Sequence, residues 1–372
     1  MVIGIDAHSL HSQQCGNEVY TRNLIENMSK IDSRNQYYLF ITDKKLGRCP
    51  AVLQNSNFSI SKLRPSNKWL RTPLALGLAS LKKKLDILHV QYFAPPVFRG
   101  KLVVTIHDIC FSPYPYFFSK QELLAFRFVK DGLKKASRII AVSHFTKNEL
   151  IQKMGISPDR IDVIYNGVSG IFKPAESKEA ISNIKARYGI RGDYILYVGR
   201  LNARKNLINI IKAYSLLKNE IIRKYKLVFV GKQSFGKEII IKTMQDLKMT
   251  EDIIITDYVP VQDLPLLYNG AEIFVYPSFY EGFGLPVLEA MACGVPVITS
   301  NTSVFPEIAG DAAVMIEPCN VQQLSEAMER LLGDADMRQK SSQTGLKRAS
   351  EFSWENTAIF TLQSYNKALK NN

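Results

Sequence analysis

The chain has 372 residues, of which 46% are hydrophobic and 22% are charged, close to the average of globular proteins. This composition excludes a disordered, collagen-like or coiled-coil protein, and the length predicts two domains. The net charge is +14, and residues 1–172 carry most of it, with 24 Lys and Arg against 12 Asp and Glu. A basic N-terminal half favours an anionic partner: nucleic acid, a membrane surface or an acidic substrate.

Short apolar runs alternate with helix-like segments through the N-terminal half. The predicted strands are 2–5, 37–42, 85–90, 102–106, 138–142 and 160–165. The predicted helices are 19–28, 123–135 and 146–154, and Ser143 is the expected N-cap of the last.

The same alternation restarts in the C-terminal half. Its predicted strands are 194–198, 226–230, 253–256, 273–276 and 295–298, with helices between them. Such buried strands are typical of parallel sheets covered on both faces. The predicted fold is therefore α/β, with two doubly wound Rossmann-like domains, residues 1–172 and 173–355. Ligands bind at the carboxyl ends of parallel strands, so we expect the two sheets to face one interdomain cleft.

The N-terminus, the hydropathy and the cysteines predict a cytoplasmic protein. The first strand ends at Asp6 and lacks a basic leader, so it does not resemble a signal peptide. No run of about 18 apolar residues predicts a membrane-spanning helix. The five cysteines are scattered and do not form a disulfide framework or a metal-ligand spacing.

The most informative segment is E-G-F-G-L-P-V-L-E, residues 281–289, which follows a predicted strand. Gly282 and Gly284 permit a tight loop with exposed backbone amides, and Pro286 stands where a helix would begin. A glycine-bearing loop that leads into a helix N-terminus is suited to binding phosphate. The two glutamates that bound the segment can accept hydrogen bonds from sugar or ribose hydroxyls.

A second segment, residues 199–206, joins a predicted strand to a helix. Arg200 and Lys205 are well placed there to clamp a diphosphate leaving group, although taken alone they also fit a solvated basic turn. Stabilising the charge on a departing phosphate is the main catalytic requirement of such a reaction. A third candidate is His107, which with Asp108 follows a strand of the other domain and is expected to face the cleft.

Together these motifs resemble those of the retaining glycosyltransferases of family 4, which have the GT-B fold. The segment 281–289 is similar to the E-x7-E signature of that family, and the resemblance extends over most of the chain. The other matching segments are Gly199-Arg200 with Lys205-Asn206, Val142-Ser143, Tyr165-Asn166-Gly167-Val168, Gly294-Val295-Pro296-Val297 and Phe352-Ser353-Trp354. The His107-Asp108 stretch, with prolines beyond it, looks like the mannosyltransferase-type members.

The resemblance implies a role for each matching residue. Those it implies to be catalytic are His107, Arg200, Lys205 and Glu281. Those it implies to bind the donor are Gly16, Arg200, Lys205, Tyr258, Val259, Leu264, Glu281, Gly282, Phe283, Gly284, Leu285 and Glu289. In this set the two cations would bind the diphosphate, and Glu289 would bind the ribose hydroxyls. Beside the nucleotide base would lie Tyr258, Val259 and Leu264. Glu281 and the amides after it would hold the transferred sugar, which His107 would contact near the reacting carbon.

One segment departs from the family pattern. The loop after the first strand usually carries several glycines, but here it reads Gln13-Gln14-Cys15-Gly16. The missing glycines affect how the phosphate and the acceptor would approach this loop, but they do not affect the expected fold. The C-terminal helix of the family, about residues 356–372 here, is expected to cross back and pack on the first domain.

No metal and no cofactor are expected. The only D-x-D sequence, Asp334-Ala335-Asp336, lies far from the donor motifs and is expected to be a solvated turn. The resemblance also implies a metal-independent reaction. No G-x-G-x-x-G follows the first strand, which disfavours a nicotinamide enzyme.

A run of three lysines, residues 82–84, follows the apolar stretch 69–81. It indicates either an interfacial segment on an anionic leaflet or an ordinary helix with a solvated basic end. The expected partners are a nucleotide-diphosphate sugar, a glycan or lipid-linked glycan, and an anionic membrane surface. The expected location is the cytoplasm, peripheral on the inner face of the membrane.

The sequence therefore favours a retaining hexosyltransferase that moves mannose from GDP-mannose to a hydroxyl of a growing lipid-linked glycan, such as lipopolysaccharide or exopolysaccharide. We expect front-face substitution, in which the departing phosphate oxygen accepts the proton of the acceptor. The alternatives are a UDP-sugar-dependent glucosyl- or N-acetylglucosaminyltransferase and a nucleotide-sugar epimerase or phosphorylase of the same fold. A nucleic-acid-binding protein is suggested by charge alone, and since no recognised motif supports it, nucleic acid is not an expected partner.

Overall fold

The computed structural model describes residues 1–10, 15–42, 56–67, 70–232 and 237–370. The chain divides into two compact units, the first formed by Met1–Gly167 with Ser353–Asn372 and the second by Val168–Phe352. The boundary expected from the sequence, after residue 172, stands slightly later than this division. Gln13, Gln14 and Trp69, which belong to segments singled out in the sequence, lie outside the described residues.

The first unit is built on a seven-stranded parallel sheet in the order β3-β2-β1-β4-β5-β6-β7. Its strands are β1 (Val2–Asp6), β2 (Gln36–Thr42), β3 (Phe58–Leu63), β4 (Ile87–Gln91), β5 (Lys101–Ile106), β6 (Arg138–Ala141) and β7 (Ile161–Val163). The sequence did not predict β3. This edge strand buries only its first and last residues, so its polar serines and lysine hide the apolar pattern.

The second unit is built on a six-stranded parallel sheet in the order β10-β9-β8-β11-β12-β13. Its strands are β8 (Asp193–Val198), β9 (Tyr225–Val230), β10 (Ile253–Ile255), β11 (Ile273–Tyr276), β12 (Val297–Ser300) and β13 (Ala313–Ile316). The predicted strand 295–298 begins two residues too early, because Pro296 has no N–H to donate into the ladder. The edge strand β13 was also missed.

Helices connect the strands in both units. In chain order they are α1 (Cys15–Ile31), α2 (Gly77–Lys82), α3 (Lys120–Lys135), α4 (His144–Met154), α5 (Lys178–Arg187), α6 (Leu207–Ser215), α7 (Asn219–Lys224), α8 (Lys237–Asp246), α9 (Leu264–Asn269), α10 (Leu285–Ala292), α11 (Phe305–Ala309), α12 (Val321–Gly333), α13 (Ala335–Ala349) and α14 (Trp354–Lys370). A π-helical segment, Arg71–Leu76, leads into α2. No helix within the described ranges is long and apolar enough to span a bilayer.

Two side-chain caps fix helix starts that the sequence had marked. The Ser143 hydroxyl accepts the N–H of Thr146 at 3.0 Å and caps α4, as predicted. Asp334 accepts the N–H of Met337 at 2.8 Å and caps α13. Both aspartates of the D-x-D sequence are exposed, as expected, but they stand at the start of a helix and not in a turn.

The C-terminal helix α14 belongs to the first unit and is tied to β7. Lys367 Nζ and Ser364 Oγ each donate to the carboxylate of Asp162 at 2.8 Å. At the start of the helix, a Cβ on Gly167 would lie 2.1 Å from the backbone nitrogen of Trp354. Only a glycine leaves room for that approach.

Each sheet reverses its winding beside its first strand. In the first unit the chain runs from β1 through β2 to β3 and then returns to β4, on the other side of β1. In the second unit it runs from β8 through β9 to β10 and returns to β11, on the other side of β8. Ligands of open parallel sheets bind outside the carboxyl ends of the strands at such switch points. The fold thus directs attention to the residues that follow β1 and β4 and those that follow β8 and β11.

Candidate active site

Two glycines follow neighbouring strands at the switch point of the second unit. Gly199 follows β8 and Gly231 follows β9. Gly231 has φ +146°, and a Cβ on it would lie 1.9 Å from the carbonyl oxygen of Gly199. The segments after β8 and β9 therefore approach each other more closely than any side chain on Gly231 would allow.

A buried ionic cluster lies at the same switch point, between the segment after β8 and the end of β11. Lys205 Nζ donates to Glu281 Oε1 and, at 2.6 Å, to the hydroxyl of Tyr276. Arg204 lies 3.3 Å from the second carboxylate oxygen of Glu281. Lys205 and Glu281 are each only 8% exposed. Two predicted site residues are thus in direct contact, and a neighbouring arginine completes the cluster.

The charges of this cluster fix the protonation state of its carboxyl group. Burial by itself would raise the pKa of Glu281, but Arg204 and Lys205 outweigh it and hold the pKa below its usual value. Glu281 is therefore an ionised hydrogen-bond acceptor at neutral pH. With two cations against one carboxylate, the cluster has a positive balance that suits a phosphate group.

Arg200 differs from Lys205 in its exposure. Its side chain is exposed and forms no ion pair or hydrogen bond with the part of the chain that the structure describes. Its carbonyl oxygen accepts the hydroxyl of Tyr197 at 3.1 Å, which fixes the backbone of the turn. The two predicted phosphate ligands are thus one buried lysine and one solvent-accessible arginine.

The loop after Glu281 leads into α10 through a left-handed glycine. Gly284 is the N-cap residue with φ +88°, and no side chain caps the helix. Gly282, Phe283 and Gly284 are buried, and Leu285 is half-buried as the first residue of the helix. An uncapped helix N-terminus keeps the positive end of its dipole, as expected for an anion site.

The second glutamate of the motif lies on α10 in a buried pair. The hydroxyl of Tyr268, on α9, donates to Glu289 Oε2 at 2.9 Å. Burial raises the pKa of Glu289 to about 7, and the hydrogen bond from Tyr268 opposes part of that rise. The pKa of this carboxyl group is therefore near neutral pH, well above that of an ordinary glutamate.

The residues expected beside the nucleotide base lie at and just before the start of α9. Tyr258 is 49% exposed and Val259 is 5% exposed. Leu264 is half-buried and begins α9, the helix that carries Tyr268. One short helix thus connects the predicted base site with the partner of Glu289.

In the first unit, His107 follows β5 and is half-buried against Gln91, the last residue of β4. His107 Nε2 lies 2.8 Å from the amide oxygen of Gln91. The Gln91 amide nitrogen donates to Thr21 at 2.5 Å, and the Thr21 hydroxyl donates to the carbonyl of Asn17 at 2.8 Å. The Gln91 amide oxygen can only accept a hydrogen bond, so the ring proton of His107 must be on Nε2.

The imidazole of His107 is neutral. Burial, together with the nearby His89, lowers the pKa of His107 to about 3. Since Nε2 carries the proton, Nδ1 is a hydrogen-bond acceptor. His107 can therefore hold a sugar hydroxyl, but it does not supply positive charge.

Gly16 is the second residue of α1 and is exposed. A Cβ on it would meet none of the described residues within 4 Å, so packing in that part of the chain does not require a glycine here. The structure thus places Gly16 on the first unit, at the start of the helix that carries Thr21.

Both halves of the chain match known glycosyltransferase families. Residues 162–348 match the family model described as Glycosyl transferases group 1, and residues 16–169 match Glycosyltransferase Family 4. The chain belongs to the glycosyl transferases of group 1. Its two parallel α/β units have the GT-B fold that the sequence predicted.

Curated relatives agree with the family assignment, and a solved structure agrees with the fold. The glycosyltransferase is 34% identical to O-antigen chain mannosyltransferase B of Escherichia coli over 280 residues, which cover 75% of this chain and 74% of that protein. It is 33% identical to serotype-specific mannosyltransferase WbdA of Escherichia coli over 240 residues, covering 64% of this chain but only 29% of that protein. The sucrose-phosphate synthase from Thermosynechococcus elongatus shares the fold, with a TM-score of 0.80 and 21% identity over 100% of both chains.

The glycosyltransferase brings some predicted residues together and adds partners that the sequence did not indicate. Lys205 contacts Glu281 directly, whereas His107 and Gly16 belong to the other unit. The residues that were missed are Gln91, Arg204, Tyr268 and Tyr276. Arg204 stands beside Lys205 in a cationic turn, so its sequence position was a usable signal. The other three act through contacts with residues distant in sequence.

Proposed function

We propose that this glycosyltransferase transfers mannose from GDP-mannose to a hydroxyl of a growing lipid-linked glycan, such as a lipopolysaccharide or exopolysaccharide chain. The observation that carries the proposal is the buried cluster of Lys205, Arg204 and Glu281 at the switch point of the second unit. It combines cations for a diphosphate with an ionised acceptor for sugar hydroxyls. The choice of mannose is supported by similarity to two mannosyltransferases.

In the proposed reaction the bond between the anomeric carbon and the diphosphate oxygen breaks, and the diphosphate leaves with the electron pair. The acceptor hydroxyl attacks the same face, so the configuration is retained, and the departing oxygen takes its proton. Lys205 and Arg200 stabilise the charge that develops on the leaving group, assisted by the N-terminus of α10. No metal or cofactor takes part.

The remaining residues position the two substrates. Glu281, held ionised by its cations, accepts hydrogen bonds from the transferred sugar. Glu289 holds the ribose hydroxyls. His107 accepts a sugar hydroxyl at Nδ1, the ring nitrogen that its bond to Gln91 leaves as an acceptor. Holding reactants in an attacking geometry supplies a large part of the rate of such transfers.

We further propose that the enzyme works in the cytoplasm at the inner face of the membrane, where lipid-linked acceptors are extended. Residues 1–172 contain 24 basic and 12 acidic residues, and this surplus of positive charge supports the proposal. Anionic leaflets attract such a surface.

A thermal-shift comparison of nucleotides tests the donor. GDP and GDP-mannose should raise the Tm more than UDP, UDP-glucose and UDP-N-acetylglucosamine at equal concentration, because the ligand with the lower Kd stabilises the folded protein more. A ligand present at about 100 times its Kd stabilises by about 2.7 kcal/mol. The reverse ranking would replace the proposal by a UDP-sugar transferase. Conversion of the donor in the absence of acceptor would indicate an epimerase.

The contact between His107 and Gln91 gives a second prediction. A Gln91→Glu substitution places a carboxylate beside His107, which raises the pKa of the imidazole from about 3 towards its ordinary value. Protonation then removes the acceptor at Nδ1, so transfer by the variant should fall up to about fourfold more than wild type between pH 8 and pH 6, the loss of neutral imidazole expected at the ordinary pKa of about 6.5. The measurement is the pH profile of kcat/KM. Gln245→Glu, which adds the same charge at an exposed site on α8, should leave the wild-type profile.

A further inference from the structure

The π-helical segment and α2 expose a line of leucines on the first unit. Leu70, Leu74, Leu78 and Leu81 are 49%, 49%, 51% and 41% exposed. Their spacing of four, four and three residues places them on one side of a helical segment. Single exposed leucines are ordinary, but an aligned set marks a surface that is covered in use.

A second exposed apolar set lies on α3 and the segment before it. Leu124 and Phe128, one helical turn apart, are 58% and 65% exposed, and Tyr116 is 72% exposed. Among the described residues of the first unit, the only exposed large apolar side chains outside these two sets are Val97 and Phe360, which lies on α14. Exposed apolar surface in this unit is therefore concentrated on α2, α3 and their surroundings.

The loop between β4 and β5 packs against α2. Ser80 Oγ accepts the N–H of Arg99 at 3.2 Å. A Cβ on Gly77 would lie 2.5 Å from the carbonyl oxygen of Val97. Val97 itself is 63% exposed, so the loop adds apolar surface next to the leucine line.

The same loop also packs against α3. A Cβ on Gly132 would lie 3.2 Å from the Cβ of Ala94, and Lys135 Nζ donates to the carbonyl of Pro96 at 3.2 Å. Gly132 is one turn beyond Phe128, so the apolar stripe of α3 runs to this loop. The leucine line, Val97 and the α3 stripe thus form one surface, called the docking face below.

The docking face is flanked by cations. Three exposed lysines, residues 82–84, follow the leucine line, and no Asp or Glu occurs between Asp43 and Asp86. The exposed cations of α3 are Lys120, Arg127, Lys130, Lys134 and Lys135, against the acidic Glu122 and Asp131. Lysine stems lie along apolar surface while their ammonium groups reach outward. The face therefore complements a surface that is apolar inside and anionic outside.

We propose that the docking face binds an anionic lipid bilayer, with its leucines and Phe128 inserted at the headgroup boundary and its lysines on the lipid phosphates. Leucine and lysine dominate the face, whereas protein interfaces are depleted in lysine and their energetic centres are poor in leucine. An amphipathic surface of this composition is typical of membrane-bound helices. The inference rests on the proposed function in one respect, that the acceptor is lipid-linked.

Sedimentation with lipid vesicles tests the face in the full-length protein. Wild type should bind vesicles of phosphatidylcholine with one quarter phosphatidylglycerol and bind pure phosphatidylcholine at least tenfold more weakly. Leu74→Gln/Leu78→Gln should reduce partition into the anionic vesicles at least tenfold. Lys82→Gln/Lys84→Gln should reduce it about fivefold per lysine. The matched control, Leu216→Gln/Ile239→Gln, replaces side chains of 54% and 63% exposure in the second unit and should bind like wild type.

Other outcomes separate this inference from the proposed function. Transfer to a soluble glycan acceptor should be unchanged in Leu74→Gln/Leu78→Gln. If wild type did not use GDP-mannose in that assay, the proposed donor would be wrong, but vesicle binding would not be affected. Equal binding of wild type and the leucine variant would overturn the docking face. Self-association that the leucine variant loses, without vesicle binding by wild type, would assign the face to a second copy and also overturn it.

Discussion

Replacing Lys205 with methionine should lower the rate of transfer by about 10²–10³-fold, measured as kcat with saturating donor. The methionine keeps the length and apolar stem of the side chain but removes its charge. Lys205 is the buried cation of the switch point, and buried charges act on a developing phosphate charge with less solvent screening than exposed ones. Lys212→Met, an exposed substitution on the helix that follows, should retain wild-type activity.

Loss of the lysine also leaves Glu281 with one cationic partner, and breaking a buried ion pair destabilises by about 3–5 kcal/mol. A lower Tm is therefore expected for the single variant. The Lys205→Met/Glu281→Gln double variant removes both charges of the pair, so its Tm should recover towards that of wild type. Transfer should stay lost, because neither the phosphate cation nor the sugar acceptor is restored. If activity returned together with the Tm, the pair would be structural only.

The central strands were predictable because both of their faces are buried. Tyr194, Ile195 and Leu196 on β8 are fully buried, and such runs give a continuous apolar signal. The edge strands are different. In β13 the last of four residues alone is buried, so the sequence there has too short a pattern to distinguish a strand from a turn.

The candidate site was predictable where its residues share a segment and not where they meet across the fold. Glu281 and Lys205 were named separately, but the sequence does not show that they pair. Gln91 meets His107 because β4 and β5 are in a register that pairs Gln91 with Thr105. Such a register depends on the packing of the whole sheet, and a single sequence does not specify it.

The raised pKa of Glu289 predicts that this residue destabilises the folded protein at alkaline pH. The pKa is about 7 in the folded state, against an ordinary value of 4.5. Between these values the folded state binds a proton that the unfolded state has lost, so stability falls as the pH rises from 4.5 to 7. Above pH 7 the loss is complete and amounts to about 3 kcal/mol.

Glu289→Gln should therefore raise the free energy of unfolding by about 3 kcal/mol at pH 8 and leave it unchanged at pH 4.5. Glutamine is neutral at both pH values and still accepts the hydroxyl of Tyr268. The Tm at pH 8 should rise by several degrees for a domain of this size. Glu326→Gln, at an exposed position on α12, should change the Tm at neither pH.

The same substitution should weaken the binding of GDP about tenfold at pH 8, measured by titration calorimetry. A carboxylate accepts ribose hydroxyls in charge-assisted hydrogen bonds, which are stronger than those to a neutral amide. A variant that is more stable but binds nucleotide more weakly would show that the buried acid is kept for binding at the expense of stability. Unchanged GDP affinity together with the higher Tm would make Glu289 a core residue without a role in the donor site. Opposite signs for stability and affinity therefore separate the two roles in a single variant.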